Sequence, residues 1–151
     1  MKQIPPTFNG FLHFIRHGVG VPDTAISDDN ETLICVYEAA LEWVPQGMGL
    51  ECLPVIYRNC VYNLAASFLL HYADDTPPGT YFADTREKLG IGRTVTGIMT
   101  SAADQGTSGA TVISDAISNL SLADLMLLQD PYGAAALAIL MEMGSHWGMT
   151  P

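Results

Sequence analysis

The sequence predicts a mainly α-helical protein, in which a compact bundle of four to six helices bears one extended β-hairpin arm over about residues 94–114. Apolar residues recur at three- and four-residue steps over 31–44 and 53–72, which is the spacing of one face of a helix. Polar residues alternate with β-branched or small ones over 94–101 and again over 107–114, a pattern typical of paired strands. The chain of 151 residues is expected to form one domain, residues 1–151.

The first thirty residues are predicted to form an N-terminal arm and one short helix. The prolines and the glycine of residues 1–10 favour an extended segment. Residues 11–17 can form a short helix that ends at the glycines after it. Residues 21–30 are polar and contain Pro22, which indicates a loop before the first long helix.

Two longer helices follow this loop. The acids at 28–31 favour the positive end of a helix dipole, and Pro45 ends the helix that they begin. Pro54 suits the first turn of the next helix. That helix is so apolar over 53–72 that other helices or a neighbouring subunit are expected to cover it. The apolar face of the earlier helix consists of Leu33, Ile34, Tyr37, Leu41 and Val44.

The second half alternates loops with shorter helices. Residues 74–80 contain two adjacent aspartates, two prolines and a glycine, which predicts a solvated loop. Residues 81–89 form a short helix that is stopped by the glycine after it. Ser121 begins another through a near capping box. Asp130 is expected to cap the last helix, with Pro131 as its first residue.

The charge of the chain limits its possible partners. Sixteen acidic residues against six Lys and Arg give a net charge of −10. Because nucleic-acid binding proteins neutralise phosphates with Lys and Arg, a role that grips DNA is not expected, although DNA can slide past such a surface. No apolar run approaches the ~20 residues that span a bilayer, and residues 1–10 lack the order of a signal peptide. We therefore expect a cytosol-like compartment and no membrane partner.

The residues that could support chemistry lack partners in the sequence. The three cysteines match no zinc spacing and are expected to be structural thiols. His13 and His17 are four residues apart and could share a helix face, but no third metal ligand is nearby, and His71 is isolated. The sequence therefore predicts no catalytic, cofactor-binding or metal-binding residue, and a protein that is not an enzyme.

Two alternative functions stay open. The string Arg16-His17-Gly18 resembles the start of the histidine phosphatase family, in which that histidine takes the phosphoryl group. The mechanism needs a second histidine and two arginines around one phosphate, and Ser145–Gly148 is only faintly similar to the family's later motif. A small phosphatase using His17 is thus one alternative. An acidic DNA mimic or regulatory protein, suggested by the charge of −10, is another.

The order of features in the second half carries a stronger resemblance. The Ser/Thr/Gly-rich segment 94–114 is followed by Asn119–Leu125 and then by Asp130-Pro131-Tyr132-Gly133, which opens the last helix. Upstream, the strings 39–44 and 61–65 match in the same order. Together these features resemble the small head–tail connector proteins of tailed bacteriophages, also called adaptor or head-completion proteins. Residues 133–143 are more apolar than the corresponding helix of that family.

The resemblance implies a structural role in the virion neck, for a protein made in the host bacterial cytoplasm. Its subunits would form a homo-oligomeric ring of about twelve copies, docked between the portal protein and the tail or other neck proteins. DNA would pass through the ring without specific binding. The residues expected to reach partners, from the arm and the C-terminal region, are Thr94, Thr96, Ile98, Thr100, Gln105, Thr107, Thr111, Ile113, Tyr132, Trp147 and Met149.

Overall fold

The computed structural model describes residues 5–44, 53–92 and 122–144, and within these ranges the chain is helical with no strand. The mainly α-helical prediction is therefore confirmed for this part of the chain. The predicted hairpin at 94–114 lies outside the described residues. The helices are α1 Phe8–His13, which continues as a π-helical turn Phe14–Val19, then α2 Glu31–Trp43, α3 Pro54–Tyr72, α4 Tyr81–Leu89, α5 Leu122–Leu127 and α6 Pro131–Gly144.

The N-terminal segment folds earlier than its prolines and glycine predict. The hydroxyl of Thr7 accepts a hydrogen bond from the backbone N–H of Gly10 and so caps α1, which begins at Phe8. The prediction of an extended segment through residue 10 is therefore wrong over its last residues. The buried Phe11 draws this turn into the core. The helix ends at Gly20, whose φ of 84° is a left-handed conformation that favours glycine.

Helix α2 begins and packs largely as its sequence indicates. The side chain of Asn30 accepts a hydrogen bond from the N–H of Thr32, 2.8 Å away, and caps the helix. Leu33, Tyr37 and Val44 are buried, as the apolar spacing predicts. Ile34 departs from that prediction because 40% of its surface stays exposed.

Helix α3 is the centre of the bundle, as predicted. It packs against α2, α4, α6 and the π-helical turn, and its middle residues are fully buried. The buried Cys60 faces Ala136 of α6, whereas Ser67, further along α3, meets Asp130 at the start of α6. The two helices therefore run antiparallel, so that the end of α6 lies beside the start of α3.

Polar contacts tie helix α4 to the loop before it and to the end of α3. Both carboxylate oxygens of Asp75 accept hydrogen bonds from the backbone N–H groups of Phe82 and Ala83, each at 2.8 Å. The loop predicted over 74–80 is confirmed, and Asp75 within it also caps α4, a role that the sequence did not indicate. The guanidinium of Arg86 donates to the carbonyls of Leu70 and Ala73 at the end of α3.

None of the helices in the three described ranges is both long and apolar enough to cross a membrane.

Candidate functional site

Most of the side chains predicted to reach a partner lie outside the described residues. These are Thr94, Thr96, Ile98, Thr100, Gln105, Thr107, Thr111, Ile113, Trp147 and Met149. Tyr132 is described and is half-buried near the start of α6. Its ring meets Phe14 edge-on, with the ring centroids 6.3 Å apart, and burial raises the pKa of its hydroxyl. Its role in partner binding stays a prediction.

A polar cluster lies inside the bundle where α6 begins. Asp130 is only 2% exposed, and its Oδ1 accepts hydrogen bonds from the N–H groups of Tyr132 and Gly133 at 2.9 and 2.7 Å. Its Oδ2 accepts one from the hydroxyl of Ser67 at 2.6 Å and lies 3.1 Å from Nε2 of His71. One carboxylate thus caps α6 and joins it to α3.

The environment keeps this carboxylate charged. Burial alone would raise the pKa of Asp130, but the hydrogen bonds from His71, Ser67 and the backbone of Gly133, with the charge of His71, outweigh it. The pKa of Asp130 therefore lies below its ordinary value of 3.8. Gly133 is needed here because a Cβ at that position would lie 2.7 Å from the Ser67 hydroxyl and 2.9 Å from Asp130 Oδ2.

Although the cluster contains a serine, a histidine and an aspartate, it is not arranged for nucleophilic catalysis. In a nucleophilic triad the serine hydroxyl donates to the histidine, and the carboxylate contacts the other ring nitrogen. Here Ser67 and His71 both contact the same oxygen of Asp130, so the serine proton points away from the imidazole. Since Ser67 and Asp130 are also buried, the arrangement supports a structural link between helices.

The sequence indicated only part of this cluster. Asp130 was identifiable as a cap because Pro131 follows it. The sequence did not indicate the link to α3. The prediction that His71 is isolated is wrong, because its ring contacts Asp130. Ser67 and His71 are four residues apart, so they share one face of α3, and a serine within an otherwise apolar helix was the available signal.

Large apolar side chains are exposed at one end of the bundle. Trp43 at the end of α2 is 50% exposed and packs edge-on against Phe68, with ring centroids 5.9 Å apart. Tyr72 is 63% exposed and lies next to Phe68 at 6.4 Å. Together with the exposed Met126 of α5, these rings line a small apolar pocket of about 80 Å³. We call Trp43, Phe68, Tyr72 and Met126 the aromatic patch.

A second group of apolar side chains is exposed at the opposite end. Val55 and Ile56 lie in the first turn of α3 and are 57% and 39% exposed. Met141 near the end of α6 is 52% exposed, and the antiparallel pairing places it at the same end as Val55 and Ile56. We call Val55, Ile56 and Met141 the aliphatic patch.

The histidine pair lines an open cleft between the N-terminal helix and α3. The rings of His13 and His17 lie 4.4 Å apart, so they share one face as their spacing predicts. The cleft has a volume of about 570 Å³. No group of three metal-ligating side chains occurs among the residues the structure describes. The cleft is lined by Thr7, Gly10, His13, Phe14, His17, Gly18, Arg58, Asn59 and Tyr62.

Arg16 does not join His17 in this cleft. Its guanidinium donates to the carbonyls of Val21 and Ile26 and to the carboxylate of Asp28, and thereby fixes the loop before α2. A histidine phosphatase needs the arginine of this motif on the phosphate beside the histidine. The geometry of Arg16 therefore gives the phosphatase alternative no support.

The two cysteines that the structure describes differ in their surroundings. Cys60 is buried in α3, and burial raises the pKa of its thiol to about 11, so it behaves as a small apolar side chain. Cys35 is an exposed free thiol on α2.

Comparison of the chain with family models, with curated proteins and with solved structures found no match.

Proposed function

We propose that this chain is a structural subunit of the neck of a tailed bacteriophage. Copies of it would form an adaptor ring that joins the portal protein and capsid to the tail or to other neck proteins. The proposal rests on the resemblance of residues 31–149 to head–tail connector proteins and on a helical bundle with apolar side chains exposed at both ends. Its place would be the neck of the virion, after synthesis in the host bacterial cytoplasm.

The pair of exposed patches is the observation that supports the proposal most. The aromatic patch and the aliphatic patch lie at opposite ends of α3 and differ in chemistry. Clusters of exposed large apolar side chains are typical of interaction surfaces. A closed ring needs a heterologous contact, in which one face of a subunit meets a different face of the next. Two unlike apolar patches on one subunit satisfy that requirement.

The charge suits a ring that surrounds DNA without holding it. A net charge of −10 repels a phosphate backbone, and acidic side chains on the channel wall would let the DNA move past. Two of the described cations, Arg16 and Arg86, also have other roles, since they are bound to carbonyl oxygens within the chain. We therefore expect the DNA contact to be nonspecific and weak.

The segment 94–114 is proposed as the arm that reaches a neighbouring protein, through the interaction residues predicted from its sequence. Deleting residues 102–108 is expected to leave the helical fold intact and to abolish assembly. Circular dichroism would report the fold, and incorporation into particles would report assembly. An intact ring from the deleted chain would show that this segment is not the arm.

The decisive experiment is a map of the particle. Mass spectrometry of purified virions should detect the chain in about the copy number of a neck ring, and cryo-electron microscopy should show α-helical density for it beneath the portal. The isolated protein can be monomeric without contradicting the proposal. Absence of the chain from particles whose necks are complete would contradict it.

A further inference from the structure

The cleft between the N-terminal helix and α3 has an unusual charge for this protein. The chain contains sixteen acidic residues, yet no Asp or Glu is among the described residues that line the cleft. Its ionisable lining consists of His13 and His17 on one side and Arg58 and Tyr62 on the other. Helix α2 packs on α1 through aromatic contacts of Tyr37 and adds no charged group to the lining. The cleft is therefore a local positive site on a strongly acidic protein.

Arg58 supplies the permanent positive charge of the cleft. It is half-buried, and in the part of the chain that the structure describes it forms no hydrogen bond or ion pair. Arg16 and Arg86, which are also partly buried, are each bound to two carbonyl oxygens. The guanidinium of Arg58 is therefore available for a charge-assisted contact with an anion in the cleft.

The walls of the cleft are fixed in place before any ligand arrives. The hydroxyl of Tyr62 accepts a hydrogen bond from the N–H of Thr7 and donates one to its carbonyl, both at 3.1 Å, and so ties the start of α1 to α3. Gly10 lies directly against the Tyr62 hydroxyl, leaving no room for a side chain between the helices. His13 and Arg58 are therefore held on opposing walls.

We propose that this cleft binds a small phosphate-bearing anion. The planar fork of Arg58 matches two phosphate oxygens, and the imidazole rings of His13 and His17 can add N–H donors from the facing wall. The volume of about 570 Å³ is within the usual range for small ligands, so the phosphate can carry an organic group. A small ligand is favoured over a nucleic acid because the net charge of −10 repels a long polyanion.

The test uses the full-length protein, inorganic phosphate and adenosine monophosphate as probes, and the imidazole NMR signals of His13 and His17 as the readout. Both probes should shift these signals saturably at about pH 6. Arg58→Gln should weaken binding about tenfold or more, because it removes a charge-assisted contact. Arg58→Lys should retain part of the binding.

Lys88→Gln is the matched control, since it changes the net charge equally from an exposed site on α4 outside the cleft. It should bind both probes as the wild type does. Circular dichroism of each variant would separate loss of binding from loss of fold. Shifts that do not saturate, or an equal loss in Lys88→Gln, would overturn the proposal. Binding of a DNA duplex more tightly than of either probe would overturn the assignment to a small ligand. None of these outcomes depends on whether the chain forms a ring.

Discussion

At the scale of single residues, Asp130 shows how one buried carboxylate can hold two helices in register. Its two oxygens receive hydrogen bonds from the first turn of α6 and from the Ser67 and His71 side chains of α3. An ionised group with this little exposure is tolerated only when its lone pairs are satisfied, as they are here. The start of α6 therefore cannot slide along α3 without breaking the whole set.

Replacing Asp130 with alanine should be among the most destabilising single changes at a polar site. It removes the helix cap and leaves the buried Ser67 hydroxyl and His71 ring without their partner, for a combined loss of about 3 kcal/mol. Urea unfolding followed by circular dichroism measures this loss. Asn30→Ala removes a cap alone and should cost about 1 kcal/mol. Equal losses in the two variants would mean that the contacts to α3 contribute nothing.

The same carboxylate predicts a pH dependence. Because the pKa of Asp130 is lowered in the folded chain, its charged form favours folding above the unfolded pKa of about 4, and that contribution is lost as the pH falls through the folded pKa. The difference in unfolding free energy between wild type and Asp130→Asn should thus shrink below about pH 4. Using the difference cancels the titration of the other acids. A difference that persists unchanged to about pH 2 would contradict the lowered pKa.

At the scale of elements, local signals predicted the helices well, because each boundary is encoded by adjacent residues. Asn30 before an apolar face, Pro54 in a first turn and Gly90 after α4 mark boundaries that the structure confirms. Asp75 was missed as a cap because it lies seven residues before Phe82, and only the folded loop brings them together. The link from Ser67 to Asp130 spans 63 positions and was equally beyond local reasoning.

The cleft and the two patches were missed for a related reason. Spacing predicts which side chains share a helix face, but only packing decides which faces stay uncovered. Val55 and Ile56 have the same apolar character as their buried neighbours on α3, yet they lie beyond the cover of the other described helices. His13 and His17 were paired correctly from their spacing, whereas Arg58 reaches the same cleft only through the packing of α1 on α3.

The cap formed by Asp75 can be tested against its neighbour in the sequence. Asp75→Ala should destabilise the protein by about 1–2 kcal/mol, because two backbone N–H groups of α4 lose a charged acceptor at the positive end of the helix dipole. Asp74→Ala removes the same charge from an exposed position of the same loop and should change stability by less than about 0.5 kcal/mol. Thermal unfolding of both variants compares them. Similar losses would mean that charge in the loop, and not the cap, matters.

At the scale of the whole molecule, the buried apolar residues that stabilise the bundle and the exposed apolar residues lie at different positions along α3. The middle of α3 is covered by α2 and α6, and its two ends lie beside the aromatic and aliphatic patches. A subunit built in this way can be stable alone and still present two unlike surfaces to its neighbours. This arrangement would let a proposed neck ring assemble from folded monomers, with little rearrangement of the core.

Trp43→Glu tests that arrangement. Trp43 projects from α2 at half exposure, so a charge there should leave the fold nearly intact, whereas an interface would lose an aromatic anchor of about 2 kcal/mol. Every contact around a closed ring would be weakened in this way. Incorporation into particles, measured by mass spectrometry, should therefore fall far more than it would if only one contact were weakened.

Ile34→Glu provides the matched control for this change. Ile34 is a large apolar residue on the same helix, 40% exposed, and the nine-residue separation places it on the opposite side of α2 from Trp43. It should assemble as the wild type does, because it lies away from the aromatic patch. If Trp43→Glu is incorporated normally and Ile34→Glu is not, the interface lies on the opposite side of α2 from Trp43. Loss of both would indicate that α2 contacts neighbours on both sides, and the aromatic patch would then be only part of the contact.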